Sequence, residues 1–137
     1  MPIAVEELAI GRELAPIVKQ MSLEKMSRPL MAGSNPIHFD PEFAAKAGLP
    51  APIATGVMSS AYLSEMLTKA FGIDWLRSGS MDVKFIRPIY AGDTVTARGR
   101  VTSLTESSTG WYIAVEIWCE TQRGEPVTVG TASVVVH

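Results

Sequence analysis

The sequence predicts an α+β domain in which one long apolar helix is wrapped by a curved antiparallel sheet. Two observations carry that expectation. From Gly56 to Phe71 apolar residues recur with helical spacing, and after residue 79 the apolar period changes to two. Helices in the first half and long strands in the second give a segregated layout. A strongly apolar helix then needs one face of a sheet to cover it.

At 137 residues the chain fits one domain, 1–137, able to bury roughly 65–70% of its unfolded surface. Charged residues make up 19% and the net charge is −2, so no strong field draws the chain to nucleic acid or an anionic membrane. The single cysteine, Cys119, excludes an internal disulfide and fits a reducing compartment. MPIAVEELAIGRE lacks a basic start followed by an apolar run. No apolar stretch approaches the ~18 residues of a membrane span. A soluble cytoplasmic protein is expected.

Val5 to Arg12 reads as a lead-in turned at Gly11, and Leu14 to Met21, interrupted by Pro16, as at best an edge strand. Ser22 is a plausible N-cap for a helix over Leu23 to Ala32, which Pro29 should kink or stop. Gly33-Ser34-Asn35-Pro36 breaks the pattern, and an extended Ile37-His38-Phe39 would place His38 opposite its apolar neighbours. Asp40-Pro41-Glu42 starts a helix that ends at Gly48, with Pro50 and Pro52 preventing its continuation. The long helix follows, about 15 residues and roughly 23 Å, apolar over most of its circumference and stopped by Gly72.

Met81, Val83 and Phe85 alternate with Asp82 and Lys84, and Arg87-Pro88 ends that strand. Ala91-Gly92-Asp93 turns the chain into Thr94 to Thr102, where Val95, Ala97, Gly99 and Val101 share a face. Trp111, Ile113, Val115, Ile117 and Cys119 form the apolar face of the longest strand. Its other face carries Tyr112 and Trp118 among polar residues, a pattern that fits a subunit contact or a half-buried Trp. Arg123-Gly124-Glu125-Pro126 is a hairpin turn into Val127 to Val136. A helix held in such a sheet is a hot-dog arrangement.

The segment GSNPIHFDPEFAAKAGLPAPIATG resembles the signature of MaoC-like hydratases and dehydratases, the (R)-specific enoyl-CoA hydratase group. KFIRPIYAGDTVTARGRV is similar to that family's strand, R-P, turn and G-D-T-V segment, and the likeness spans roughly Glu7 to Val136. The resemblance implies a hot-dog fold, assembly as dimers, and an acyl-CoA held near the subunit interface. It also implies an aspartate and a histidine acting together. His38 matches the histidine, whereas the aspartate position falls on Gly33, and Thr55 replaces the histidine of the family's I-A-H-G run. Met31 and Ala32 stand where the family has small serine and glycine.

Adding water across the α,β double bond of a thioester needs a base for the water, a proton for the α carbon, and donors for the charge growing on the thioester oxygen. His38 can take or give the proton. The unpaired N–H groups at the start of the long helix, around Thr55-Gly56-Val57, can serve the oxygen, and Gly56 allows close approach. Thr55 is either a helix cap or a polar group in the site. Ser34 and Asn35 could hold a water or orient substrate, though Asn35 could equally just shape its turn. Asp40 reads as a helix cap and Glu42 as a solvated first-turn residue. Arg87 reads as a surface residue, with contact to CoA phosphates as the other option. His38-x-Asp40 lacks the further ligands a metal would need, and no cofactor is implied.

The first expectation is an acyl-CoA or acyl-carrier thioester hydratase/dehydratase with an altered dyad. The alternative is a non-catalytic or half-site subunit that pairs with an active homologue, which would explain the absent aspartate. A hot-dog thioesterase comes third, because Glu65 lies too far along the helix from Gly56.

Overall fold

A computed structural model describes residues 2–137, with the side chains of Leu30 and Met31 outside that description; the Met31 replacement noted above therefore lies outside the described residues. In chain order the elements are β1 (Ile17–Gln20), α1 (Leu23–Met26), α2 (Pro29–Ala32), α3 (Pro41–Lys46), α4 (Gly56–Phe71), α5 (Ile73–Ser78), β2 (Ser80–Phe85), β3 (Thr94–Ser107), β4 (Gly110–Thr121) and β5 (Pro126–Val136). The five strands form one antiparallel sheet in the order β1-β3-β4-β5-β2. β1 is an edge strand, as the proline before it requires.

The sheet curls because β3 and β5 each slip register against β4, near Val101/Ser103 and Cys119/Glu120, and such bulges bend a strand pair. Into the resulting trough α4 lays Met58, Leu63, Met66, Leu67, Ala70 and Phe71, all buried. They meet Val95, Ala97 and Val101 of β3, Ile113, Val115, Ile117 and Cys119 of β4, and Val127, Ala132, Val134 and Val136 of β5 in one apolar cluster. Each such side chain contributes about 1.5–3 kcal/mol of burial. Gly99 sets how closely α4 and the lead-in approach β3, since a Cβ there would lie 3.0 Å from both Met66 and Leu14.

Three expectations are corrected. The helix expected over Leu23 to Ala32 is two short pieces: Ser22 Oγ caps α1 by accepting from Lys25 N, and Pro29 opens α2. The segment around His38 is a turn of 3-10 helix, Pro36–His38, rather than extended, because Asn35 Oδ1 caps it by accepting from Ile37 N. Finally, α4 is not covered all round. Val57 and Ala61 are exposed, since one sheet covers one side of a helix. Among the described residues no helix is long and apolar enough to cross a membrane.

Candidate functional site

The route from His38 to α4 is fixed by main-chain bonds. Ile53 N donates to the Ile37 carbonyl at 3.0 Å, and the Ile53 carbonyl accepts from His38 Nδ1 at 2.8 Å. Ala54 N donates to the Ile89 carbonyl at 2.8 Å, so the same two residues also tie down the β2–β3 connection. Two residues further on, α4 begins. The histidine loop and the helix start are therefore held to one short strap.

This bonding decides the tautomer of His38. A carbonyl oxygen only accepts, so Nδ1 carries the hydrogen, and in the neutral ring Nε2 keeps its lone pair. Nε2 has no partner among the described residues. His38, Thr55 and Gly56 together line a cavity of about 460 Å³, with Ser59 of α4, Phe85 of β2 and Thr128 of β5 among its other walls.

At the start of α4 the N–H groups of Gly56 and Val57 find no acceptor among the described residues; the first bond of this turn is Met58 N to the Thr55 carbonyl. Thr55 occupies the N-cap position without making the cap bond, and its Oγ1 is buried without a partner. The ring of Phe85 covers Gly56: a Cβ at 56 would sit 2.5 Å from its Cζ. Glycine is thus needed here for the ring to pack, whatever else its amide does.

Of the residues singled out from sequence, His38, Thr55 and Gly56 meet in the cavity, whereas Ser34, Asn35 and Val57 do not line it. Asn35 is occupied in capping the turn before His38, and the Val57 side chain is 57% exposed on the open side of α4. Asp40 caps α3, its Oδ1 accepting from Glu42 N and Phe43 N at 3.0 and 3.2 Å. Glu65 pairs with Lys19 at 3.2 Å, outside the cavity wall. Arg87 reaches the cavity rim, but its Nη1 donates to the Pro126 carbonyl at 2.6 Å. Among the described residues that line the cavity there is no carboxylate.

Ser59 and Thr128 were not foreseen as wall residues. Their hydroxyls bond each other at 2.9 Å, and each residue is 1% exposed. No local signal singles Ser59 out, since α4 also carries Ser60, Ser64 and Thr68.

One helix held in the trough of a five-stranded antiparallel sheet defines the hot-dog class. Within it, the family model described as "MaoC like domain" matches residues 30–130, and the chain belongs to that family. It is 31% identical over 100 residues to the (R)-specific enoyl-CoA hydratase of Aeromonas caviae, covering 73% of this chain and 73% of that protein. The solved (R)-hydratase of A. caviae involved in PHA biosynthesis superposes with a TM-score of 0.82 at 26% identity, covering 97% of this chain and all of that one. The ChsH1-ChsH2 complex from Mycobacterium tuberculosis contains a chain of the same fold, with a TM-score of 0.77 at 20% identity over 94% of this chain and 98% of that one.

Proposed function

We propose that this protein hydrates 2-enoyl thioesters of CoA or an acyl carrier protein, and dehydrates the corresponding 3-hydroxyacyl thioesters, with His38 as the proton-transfer group. The observation that carries the reading is one cavity walled by both His38, its Nδ1 hydrogen committed to Ile53, and the first residues of α4.

In the hydration direction Nε2 takes a proton from water as the water oxygen bonds to the β carbon. The π electrons move toward the thioester oxygen, and the α carbon then receives a proton, so one water is added with no change of oxidation state. The Gly56 amide, at the positive end of a helix 16 residues long, is the donor for the enolate oxygen. His38 returns the proton to the α carbon, which lets one imidazole serve both transfers where Gly33 supplies no aspartate. Water addition to crotonyl-CoA removes the conjugated enoyl absorbance and gives a direct assay. His38→Ala is expected to lower the rate roughly 10²–10⁴-fold. Wild-type protein that leaves the absorbance unchanged sinks the reading for this substrate.

The absence of a carboxylate from the described cavity wall favours a second reading, a half-site subunit whose partner brings the acid. The heteromeric assembly of the ChsH1-ChsH2 neighbour supports that possibility. Activity that appears only on mixing with a second hydratase homologue selects it over the first, in which the protein acts as a homodimer or higher homo-oligomer. Release of free CoA would select the thioesterase instead.

A further inference from the structure

The sheet carries a second hollow, on the side away from α4. In β4, Ile113, Val115, Ile117 and Cys119 are buried against the helix, so Glu116 and Trp118 project from the opposite, outer side. The register carries that side across four strands. Arg98 of β3 stands opposite Trp118, Trp118 opposite Val129 of β5, and Val129 opposite Lys84 of β2. Residues paired in this way share a face of the sheet. The row thus has an aromatic and aliphatic middle with a cation at each end. Trp118 and Val129, with Pro126, Thr131 and Glu116, wall a hollow of about 390 Å³. Arg98 is paired with Glu120, and Arg100 with Glu116 at 3.5 Å. Lys84 is exposed and makes no ion pair among the described residues. The unbalanced positive charge of this face therefore lies at its β2 end.

That end adjoins the His38 cavity. Arg87 lines the cavity, Pro126 lines the outer hollow, and Arg87 Nη1 donates to the Pro126 carbonyl at 2.6 Å. Among the described residues that line the cavity, Arg87 is the only one with a permanent charge. Its ion pair with Glu125, at 3.5 Å, joins side chains 47% and 62% exposed, and such a pair yields readily to a stronger anion.

A CoA thioester has the matching parts. A flexible arm separates its acyl group from the phosphates and the adenine ring, so the nucleotide end needs a seat beside the reaction cavity and not within it. We infer that the outer hollow is that seat. The adenine lies on Trp118, Val129 and Pro126, and the phosphates take the positive ground between Arg87 and Lys84. Glu116 offers an acceptor for the amino group of the base. The inference rests on the thioester reading above and narrows its carrier to CoA, the one that bears a nucleotide.

Crotonyl thioesters of CoA, 4′-phosphopantetheine and pantetheine separate the parts of the carrier. The kcat/KM of wild-type protein is expected to be roughly 10- to 100-fold higher for the CoA ester than for the pantetheine ester, the worth of a stacked base and a charged phosphate contact. Trp118→Leu and Arg87→Gln should each lower that ratio about tenfold. Adenosine 3′,5′-bisphosphate, which carries no acyl group, should bind wild-type protein in titration calorimetry and fail to bind Trp118→Leu. Equal kcat/KM for the CoA and phosphopantetheine esters means the base has no seat and overturns the inference. Nucleotide binding that survives in Trp118→Leu does the same. So does the absence of nucleotide binding by wild-type protein, the result expected if a second copy of the chain covers this face. In each of these cases hydration of the pantetheine ester leaves the thioester reading standing. Hydration of none of the three esters removes that reading, and the nucleotide titration still decides the seat. Where Trp118→Leu does not fold, Arg87→Gln, at a half-exposed side chain, carries the same comparison.

Discussion

His38 shows how a single main-chain acceptor gives a side chain its chemistry. The Ile53 carbonyl holds the Nδ1 hydrogen, which leaves the lone pair of the neutral ring on Nε2. A buried group can equally be silenced. Burial pushes the Cys119 thiol up to about 12, against a weaker opposing contact with Ser59, and the residue is 0% exposed. Cys119 therefore stays a protonated thiol at neutral pH. A disulfide reagent such as Ellman's is expected to label no thiol in the folded protein and one per chain in denaturant; labelling of the native protein would refute its burial. At this scale the sequence carried His38, Thr55 and Gly56, because a histidine in a polar loop and a glycine at a helix start are conspicuous against their surroundings. It could not carry the Ser59–Thr128 pair, since residues 69 apart in sequence meet only once helix and sheet have packed.

Among the elements, α4 was the most legible, since Gly56 and Gly72 bound it and its apolar spacing is strong. Its open side was not legible, because spacing alone does not say how many faces have a partner. The helix α5 was hidden for a related reason: Ile73 to Ser78 is a short, mixed stretch with only Trp75 buried. The start of α4 is where packing and proposed chemistry compete for the same atom. Gly56→Ala adds helix propensity, up to about 1 kcal/mol, but its Cβ would drive the Phe85 ring away from a contact at 2.5 Å. Phe85 is 56% exposed, so the ring can swing toward solvent and the melting temperature should change by only a few degrees. The methyl group crowds the amide instead. Crotonyl-CoA hydration is expected to fall roughly 10- to 100-fold, with partial recovery in Gly56→Ala/Phe85→Ala. A wild-type rate in Gly56→Ala would remove the amide from the mechanism while leaving the packing role of the glycine.

Across the whole molecule, the end of β1, the turn before β3 and the β4–β5 hairpin are tied together by one buried carboxylate, which in the sequence shows only as part of a turn. Asp93, 3% exposed, accepts from Arg123 through both oxygens at 2.9 Å, from Gln122 Nε2 at 2.9 Å and from Tyr90 N at 2.8 Å. Its own carbonyl accepts from Met21 N at 2.8 Å. One residue thus joins the end of β1, the turn before β3 and the β4–β5 hairpin. The pattern Ala91-Gly92-Asp93 announced the turn, but Gln122 and Arg123 reach Asp93 from the end of the neighbouring strand β4, 29 and 30 residues on, and leave no local trace. Burial pushes the Asp93 carboxyl up, yet the bonds from Arg123, Tyr90 N and Gln122 outweigh it, and the net effect holds the group below the usual carboxylate range. A carboxylate depressed in the folded state contributes stability that is fully present above its unfolded pKa, about 3.9. That contribution is lost as pH falls through the lower folded value. Asp93→Asn keeps the shape but not the charge, and should cost about 1–2 kcal/mol at pH 7. The gap from wild type should narrow as the pH is taken below about 4, where the wild-type carboxyl also gains its proton. Urea unfolding of both proteins at neutral and acid pH measures this, and a gap that is constant across the range would mean that the Asp93 charge contributes nothing to tying β1 to the β4–β5 hairpin.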